Sequence, residues 1–138
     1  MSEALPDGWR ETTLGEIATV VTGKTPPTKS EELFGGALLF AKPGDLDGPS
    51  DLLATTQTIA DAAIGHVPLL PEGTVLVSCI GNLGKTAILR RPGSCNQQIN
   101  AILPTPHATP EFLHAWARTL GPWLRQNSSA TTVSIINK

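Results

Sequence analysis

The sequence contains no tyrosine, and its other aromatic residues are few: three tryptophans and three phenylalanines among 138 residues. Its two cysteines, Cys79 and Cys95, lack a CxxC spacing and have no histidine close in sequence, so no zinc site is expected. No run approaches the roughly 18 consecutive apolar residues of a membrane span, and the N-terminus lacks a secretory signal. We therefore expect a cytoplasmic protein with reduced cysteines and no bound metal.

Charged residues are also scarce, and they are unevenly distributed. They make up 16% of the chain, with a net charge of −2, which by itself argues against nucleic-acid binding. Residues 1–84 hold four basic and eleven acidic side chains, whereas residues 85–138 hold six basic and one acidic. A chain polarised in this way can present a basic face. The alternative is that these charges are spread over solvated surface.

Glycine and proline are abundant, with 13 and 12 residues. Together with an apolar content of 40%, they predict one folded domain over residues 1–138, rich in loops and short elements. Strands are predicted where β-branched or apolar runs lie between turn residues, at 19–22, 37–41, 74–78, 87–89 and 100–103. The segment 74–89 is predicted to form a hairpin-like unit, and residues 58–63 one or two helical turns.

Two helices are predicted from their capping residues. Thr13 and Glu16 have the spacing of a capping box, and Thr109 followed by Pro110 is expected to begin the one long helix. The apolar stripe of that helix is assigned to the core and comprises Phe112, Leu113, Trp116 and Leu120, continued by Trp123 and Leu124 past an expected break at 121–122. His114 is expected to be partly exposed, and residues 126–134 to form a polar loop.

One motif suggests nucleotide binding. Gly84-Lys85-Thr86 matches the end of a phosphate-binding P-loop, GxxxxGK[ST]. The first glycine of that pattern falls at Cys79, and a predicted strand follows where a P-loop opens a helix. A second match, Gly23-Lys24-Thr25, is followed by two prolines. We therefore expect no ATP site.

Other catalytic chemistry finds little support in the sequence. His66, His107 and His114 are isolated, and Asp45 and Asp47 lie in a turn where aspartate is expected for backbone reasons. There is no GxSxG elbow, no catalytic motif of a methyltransferase and no glycine-rich cofactor loop. The chain is expected to be no enzyme and to bind no cofactor.

Several loops instead combine glycine with amides, hydroxyls and basic residues, a composition suited to nucleic acid. Glycine lets backbone N–H groups approach phosphate closely, lysine and arginine neutralise it, and asparagine or glutamine can bond to a base edge. The candidates are Lys24, Lys29, Lys42, Lys85, Arg90, Arg91, Asn96, Gln97 and Gln98. The alternatives are loop capping for Asn96 and Gln97, and ordinary solubilising surface for Lys24, Lys29 and Lys42.

An ordered series of short motifs runs along the chain. They are Gly8-Trp9 with Leu14-Gly15-Glu16-Ile17, Gly23-Lys24-Thr25-Pro26, Gly44-Asp45-Leu46 after an apolar strand, the segment from Leu70 to Gly84, Asn96-Gln97 before a strand, and the Ser/Thr-rich residues 128–132 after a helix. In this order and spacing they resemble the target-recognition domain of a type I restriction–modification specificity subunit. The loops that match also contain Thr25, Asn82, Thr131 and Thr132, which complete the candidate DNA contacts.

The resemblance implies a fold, a function and partners. The fold is α/β (α+β): a twisted mixed sheet with short helices, long loops and one longer C-terminal helix. The function is sequence-specific recognition of one half of a bipartite site in double-stranded DNA. The partners are a methyltransferase (modification) subunit that uses S-adenosylmethionine and, through the complex, a restriction subunit that uses ATP. Because the chain has no heptad helix, we expect a fragment lacking the family's coiled-coil helix; the alternatives are a natural half-subunit and a divergent stand-alone domain.

The sequence is also compatible with two other functions. The acidic first half and the missing helix are also compatible with a protein-interaction module that docks a methyltransferase subunit without binding DNA. The second is a small nucleotide-binding enzyme, a hypothesis that depends on Gly84-Lys85-Thr86 alone.

Overall fold

Two β-sheets and one nine-residue helix dominate the part of the chain that the structure, a computed structural model, describes: residues 13–78 and 84–119. The strands are β1 (Val20–Thr22), β2 (Phe34–Ala41), β3 (Asp51–Leu52), β4 (Gln57–Ile59), β5 (Val75–Ser78), β6 (Thr86–Leu89), β7 (Gly93–Cys95) and β8 (Ile99–Ile102). The helices are α1 (Leu14–Ile17) and α2 (Pro110–Arg118), with 3₁₀ turns at Glu31–Leu33, Pro43–Asp47 and Asp61–Ala63.

The larger sheet has five strands in the order β1-β8-β5-β6-β3, all antiparallel except the β3–β6 pair. The smaller sheet has the order β4-β2-β7, in which β2 and β7 are parallel. These mixed sheets with short helices and one longer helix confirm the predicted fold class. The antiparallel β5–β6 pair confirms the hairpin-like unit predicted over 74–89.

The central strand β5 is buried on both faces, and its alternating side chains enter two different cores. Leu76 packs with Leu39 and Ala101 in the core between the two sheets. Val75 and Val77 point the other way and pack with residues of α2. Successive side chains of a strand alternate between faces, so one short apolar run joins the helix, the large sheet and the small sheet into three layers.

Helix α2 begins as the sequence predicts, because the Thr109 hydroxyl accepts a hydrogen bond from the N–H of Phe112 (3.0 Å) and Pro110 occupies the first turn. Its buried face differs from the prediction. Phe112, assigned to the core, is 58% exposed, whereas His114, expected to be partly exposed, is 8% exposed. The face that meets the sheet is centred on Leu113 and Ala117, which turns Phe112 to solvent.

The prediction of helical turns over 58–63 is wrong in its first half. Gln57–Ile59 forms strand β4, and only Asp61–Ala63 is a 3₁₀ turn. Ile59 is 1% exposed and pairs with both Phe34 and Leu38 of β2 across an irregularity in register. Pairing with a strand distant in sequence therefore overrides the local pattern.

At the first helix, Thr13 precedes α1 as predicted, but its hydroxyl donates to the Glu16 carboxylate (3.1 Å) and does not cap a backbone N–H. The expected break at 121–122 and the polar loop at 126–134 lie outside the described residues. No helix within 13–78 and 84–119 has the length and apolar character needed to cross a membrane.

Candidate nucleic-acid interface

Four polar segments meet at one end of the two sheets. β1, β2 and β7 end there, and β8 begins there, since Thr22 pairs with Asn100 and Ala41 pairs with Cys95. The β5–β6 hairpin turns at the same end, because Ser78 pairs with Ile99. We call this set the loop end; it comprises residues 23–27, 42–47, 84–85 and 96–98.

Backbone contacts hold the first of these segments directly against the last. The N–H of Gly23 donates to the carbonyl of Ile99 (3.0 Å), and the N–H of Lys24 donates to the carbonyl of Cys95 (2.9 Å). A Cβ atom at Gly23 would lie 2.1 Å from the carbonyl oxygen of Asn96. Only glycine permits this approach, so residue 23 fixes how close the two loops lie.

The amide side chains of Asn96 and Gln97 have different surroundings. The side chain of Asn96 caps the turn, because its Oδ1 accepts a hydrogen bond from the N–H of Gln98 (3.0 Å). Gln97 is exposed, and its Oε1 accepts a hydrogen bond from the hydroxyl of Thr25 (2.6 Å). Loop capping thus describes Asn96, while Gln97 is a solvent-facing amide held by a neighbouring loop.

Asp45 organises the segment after β2. Its Oδ2 accepts from the N–H of Lys42 (2.9 Å), and its Oδ1 accepts from both the N–H and the hydroxyl of Thr56 (3.0 Å each). The aspartate therefore has the backbone role predicted for it. The resulting turn presents the exposed side chain of Lys42. Sequence reasoning missed the connection to Thr56, which no spacing between positions 45 and 56 could have indicated.

Lysines supply the positive charge of the loop end. Lys24 and Lys42 are both exposed, and neither has an ion-pair partner among the described residues. Lys85 differs, because its Nζ lies 2.7 Å from Asp47 Oδ1. The loop end thus carries two unpaired cations and one paired cation.

The P-loop resemblance fails in the structure as it does in the sequence. Gly84 has a positive φ of 83°, and Thr86 begins strand β6 where a P-loop would open a helix. The Lys85 ammonium is bound by Asp47. Nothing in this arrangement supports the nucleotide-binding enzyme.

Arg90 and Arg91 lie at the opposite end of the large sheet, after the last residue of β6. Arg90 donates to Asp51 Oδ1 (2.8 Å) and Glu111 Oε2 (2.7 Å), which ties β3 and α2 to the sheet. Arg91 donates to the carbonyls of Leu53 (3.3 Å) and Ala37 (3.2 Å). Both guanidinium groups therefore have partners within the fold, which favours a structural role over the DNA contact expected from the sequence.

The Arg90–Glu111 contact gives a pH-dependent prediction. The hydrogen bond from Arg90 lowers the pKa of Glu111 below its ordinary value of 4.5. A lowered folded-state pKa gives stability that is present above pH 4.5 and lost as the pH falls through the folded value. We expect Glu111→Gln to lower the urea midpoint at neutral pH, and we expect this difference from the wild type to shrink as the pH falls below 4.5 and through the folded-state pKa of Glu111. Glu72→Gln, at an exposed turn, is the control; a gap that persists in acid would contradict the assignment.

The remaining candidates fall outside this cluster or outside the described residues. Lys29 is exposed in a turn closed by a hydrogen bond from the N–H of Ser30 to the carbonyl of Pro27 (3.2 Å). Asn82, Thr131 and Thr132 are not among the described residues, and they stay predictions.

The described residues, 13–78 and 84–119, contain neither a reactive form of Cys95 nor a group of side chains placed to hold a metal ion. Cys95 is completely buried, and this burial raises the pKa of its thiol to about 12, far from a reactive thiolate. Cys79 lies outside the described residues. In the described parts of the chain, no group of three His, Cys, Asp or Glu residues is placed to hold a metal ion.

The two sheets gather polar loops at one end, and this arrangement defines an α+β domain that presents loops. The sequence identifies its family: residues 6–138 match the family model for the type I restriction modification DNA specificity domain. The chain belongs to this family.

Relatives agree with this assignment. The chain is 29% identical over 112 residues to the specificity subunit of the type I restriction enzyme HindI from Haemophilus influenzae, covering 80% of this chain and 24% of that protein. It is 27% identical over 134 residues to the MjaIX specificity subunit from Methanocaldococcus jannaschii, covering 93% of this chain and 31% of that protein. The chain thus spans about a quarter to a third of these relatives.

Solved structures share the fold. The HsdS subunit from Thermoanaerobacter tengcongensis superposes with a TM-score of 0.74 at 20% identity, covering 99% of this chain and 33% of that chain. A chain from a structure of a type I R-M system, described for complex assembly and conformational transition, gives 0.75 at 22% identity, covering 99% and 34%.

Proposed function

We propose that this chain recognises one half of a bipartite sequence in double-stranded DNA, and that the loop end is the surface that reads it. The observation that carries the proposal is the exposed amide of Gln97, held by Thr25 beside loops that present Lys24 and Lys42. An amide can bond to the edge of a base pair in the major groove, and unpaired lysines neutralise flanking phosphates. Family membership supports the same function.

Within this proposal the candidate residues have different roles. Lys24 and Lys42 contact phosphate, Gln97 reads a base edge, and Asn96 shapes the turn that carries Gln97. The charge of Lys85 is partly neutralised by Asp47, so this lysine contributes less to phosphate binding than Lys24 and Lys42. Arg90 and Arg91 maintain the fold at the far end of the sheet.

The partners and setting follow from the family. We propose that the chain acts as the recognition part of a type I restriction–modification complex in the cytoplasm, with a methyltransferase subunit and, through the complex, a restriction subunit. The chain itself performs no catalytic step in this scheme and binds no cofactor. Its extent as a single recognition domain over 1–138 stays a prediction.

The test is selection of duplexes from a randomised pool with the full 138-residue chain, followed by binding of the selected duplex at several salt concentrations. We expect one preferred sequence and an affinity that falls as salt rises. Lys24→Ala and Lys42→Ala should each reduce the slope of log K against log salt by about 1 and leave the preferred sequence unchanged.

Arg91→Ala distinguishes the two ends of the sheet in the same assay. We expect Arg91→Ala to leave the salt slope unchanged. A slope reduced as much as in Lys42→Ala would instead mean that DNA binds at the end of the sheet where Arg91 lies. A wild-type chain that retains no duplex at low salt yet co-purifies with a methyltransferase subunit would favour the protein-interaction module.

A further inference from the structure

A cleft of about 330 Å³ opens beside the loop end. It is lined by Ser50, Gly84, Thr86, His114 and Arg118. Gly84 belongs to the loop end, and Thr86 pairs with Val77 near the turn of the β5–β6 hairpin. The Arg90–Glu111 contact holds the start of α2 at the opposite end of the sheet, so its last turn, with Arg118, lies toward the loop end.

Two of the lining residues carry buried polar atoms without a partner. His114 is only 8% exposed, and its Nε2 has no hydrogen-bond partner among the described residues. The hydroxyl of Thr86 is likewise buried and unpartnered within those ranges. Buried polar groups are nearly always hydrogen-bonded, so two such atoms in one cleft point to a group that the described residues do not supply.

The chemistry of the lining favours an anion. Arg118 is exposed and has no ion-pair partner within the described ranges. No acidic residue follows Glu111 in the sequence, and none of the described residues that line the cleft is acidic. These residues offer a guanidinium, two hydroxyls and one imidazole, which can all donate to oxygen. A cation would find no carboxylate among them.

We propose that this cleft binds a phosphate group of the DNA backbone that flanks the base pairs read by the loop end. The proposal rests on the proposed function, because the duplex brings the phosphate. Arg118 and the hydroxyl of Ser50 meet the phosphate at the mouth of the cleft. Thr86 and His114 also line the cleft, and their buried Oγ1 and Nε2 atoms gain the partner that they lack among the described residues. The cleft contributes affinity and register, and no base preference.

The first test measures the salt dependence of Arg118→Gln on the selected duplex. One lost phosphate contact should reduce the slope of log K against log salt by about 0.9 and lower the affinity about tenfold, with the preferred sequence unchanged. Arg118→Lys keeps the charge and should keep the slope. If the wild type bound the duplex and Arg118→Gln had the same salt slope, the cleft would not bind phosphate. The proposed function would be unaffected by that result.

The second test separates binding from folding. Thr86→Val removes a buried hydroxyl that has no partner among the described residues, so it should leave the free energy of unfolding unchanged or raised and still weaken duplex binding. If Thr86→Val bound the duplex with the wild-type affinity, this result would contradict the proposed contact between the Thr86 hydroxyl and phosphate. The source of the bound phosphate is identified from the ¹⁵N resonance of His114 Nε2, measured once with the duplex added and once with inorganic phosphate alone. A resonance shift with inorganic phosphate and none with duplex would mean that the cleft binds a free anion and not DNA, which would contradict the proposal.

Discussion

Replacement of Gln97 by alanine is expected to lower discrimination at a single base pair of the selected duplex by about 5-fold to 150-fold, the range for loss of a good side-chain contact to a base. The reason is geometric. The hydroxyl of Thr25 donates to Gln97 Oε1 at 2.6 Å. The exposed amide of Gln97 is therefore already oriented before the duplex binds. The measurement compares binding to duplexes that carry each of the four base pairs at each selected position.

Thr25 provides the matched test, because its hydroxyl is bonded to the side chain of Gln97. Thr25→Val should reduce discrimination at the same base pair by a smaller factor, and Thr25→Ser, which keeps the hydroxyl, should restore it. The double variant Thr25→Val with Gln97→Ala should behave like Gln97→Ala alone, since the two residues share one interaction. A loss of affinity that is equal for all sequences would instead assign Gln97 to phosphate binding or loop shape.

The elements that local sequence determines were predicted well. The apolar run that forms β5 and the Thr109-Pro110 start of α2 depend on neighbours in the chain. The segment over 57–59 depends on β2, more than fifteen residues earlier, and there the local pattern predicted the wrong element. The burial of His114 was missed because helical periodicity gives the spacing of a face but not which residue is at its centre.

The candidate interface was predictable as a set of residue types and not as a place. Lys42 and Arg90 are equally plausible phosphate contacts in the sequence, since both are cations beside glycine- or proline-containing turns. Register separates them: Ala41 pairs with Cys95 at the loop end, whereas Arg90 follows β6 at the other end and binds Asp51 and Glu111. Those partners are distant in sequence, so no motif indicates them.

Gly23→Ala is the change expected to affect the fold of the interface most. A Cβ atom at this position would lie 2.1 Å from the Asn96 carbonyl oxygen and 2.4 Å from that of Cys95. Both are backbone atoms that cannot rotate away, so the two loops must separate. We expect the free energy of unfolding to fall by about 3 kcal/mol, at the upper end of the usual cost of overpacking. Urea unfolding measures this loss.

The same substitution should also abolish sequence preference, because it disrupts the hydrogen bonds that place Lys24 and Thr25 against residues 95–99. Gly48→Ala, outside the loop end, is the control, since a Cβ atom at Gly48 meets nothing within 4 Å; it should leave both stability and preference near the wild type. A Gly23→Ala chain that folds normally and keeps its preference would mean that the two loops need not touch to read DNA. The loop end would then be a set of independent contacts, and Gln97 would read its base without help from Thr25.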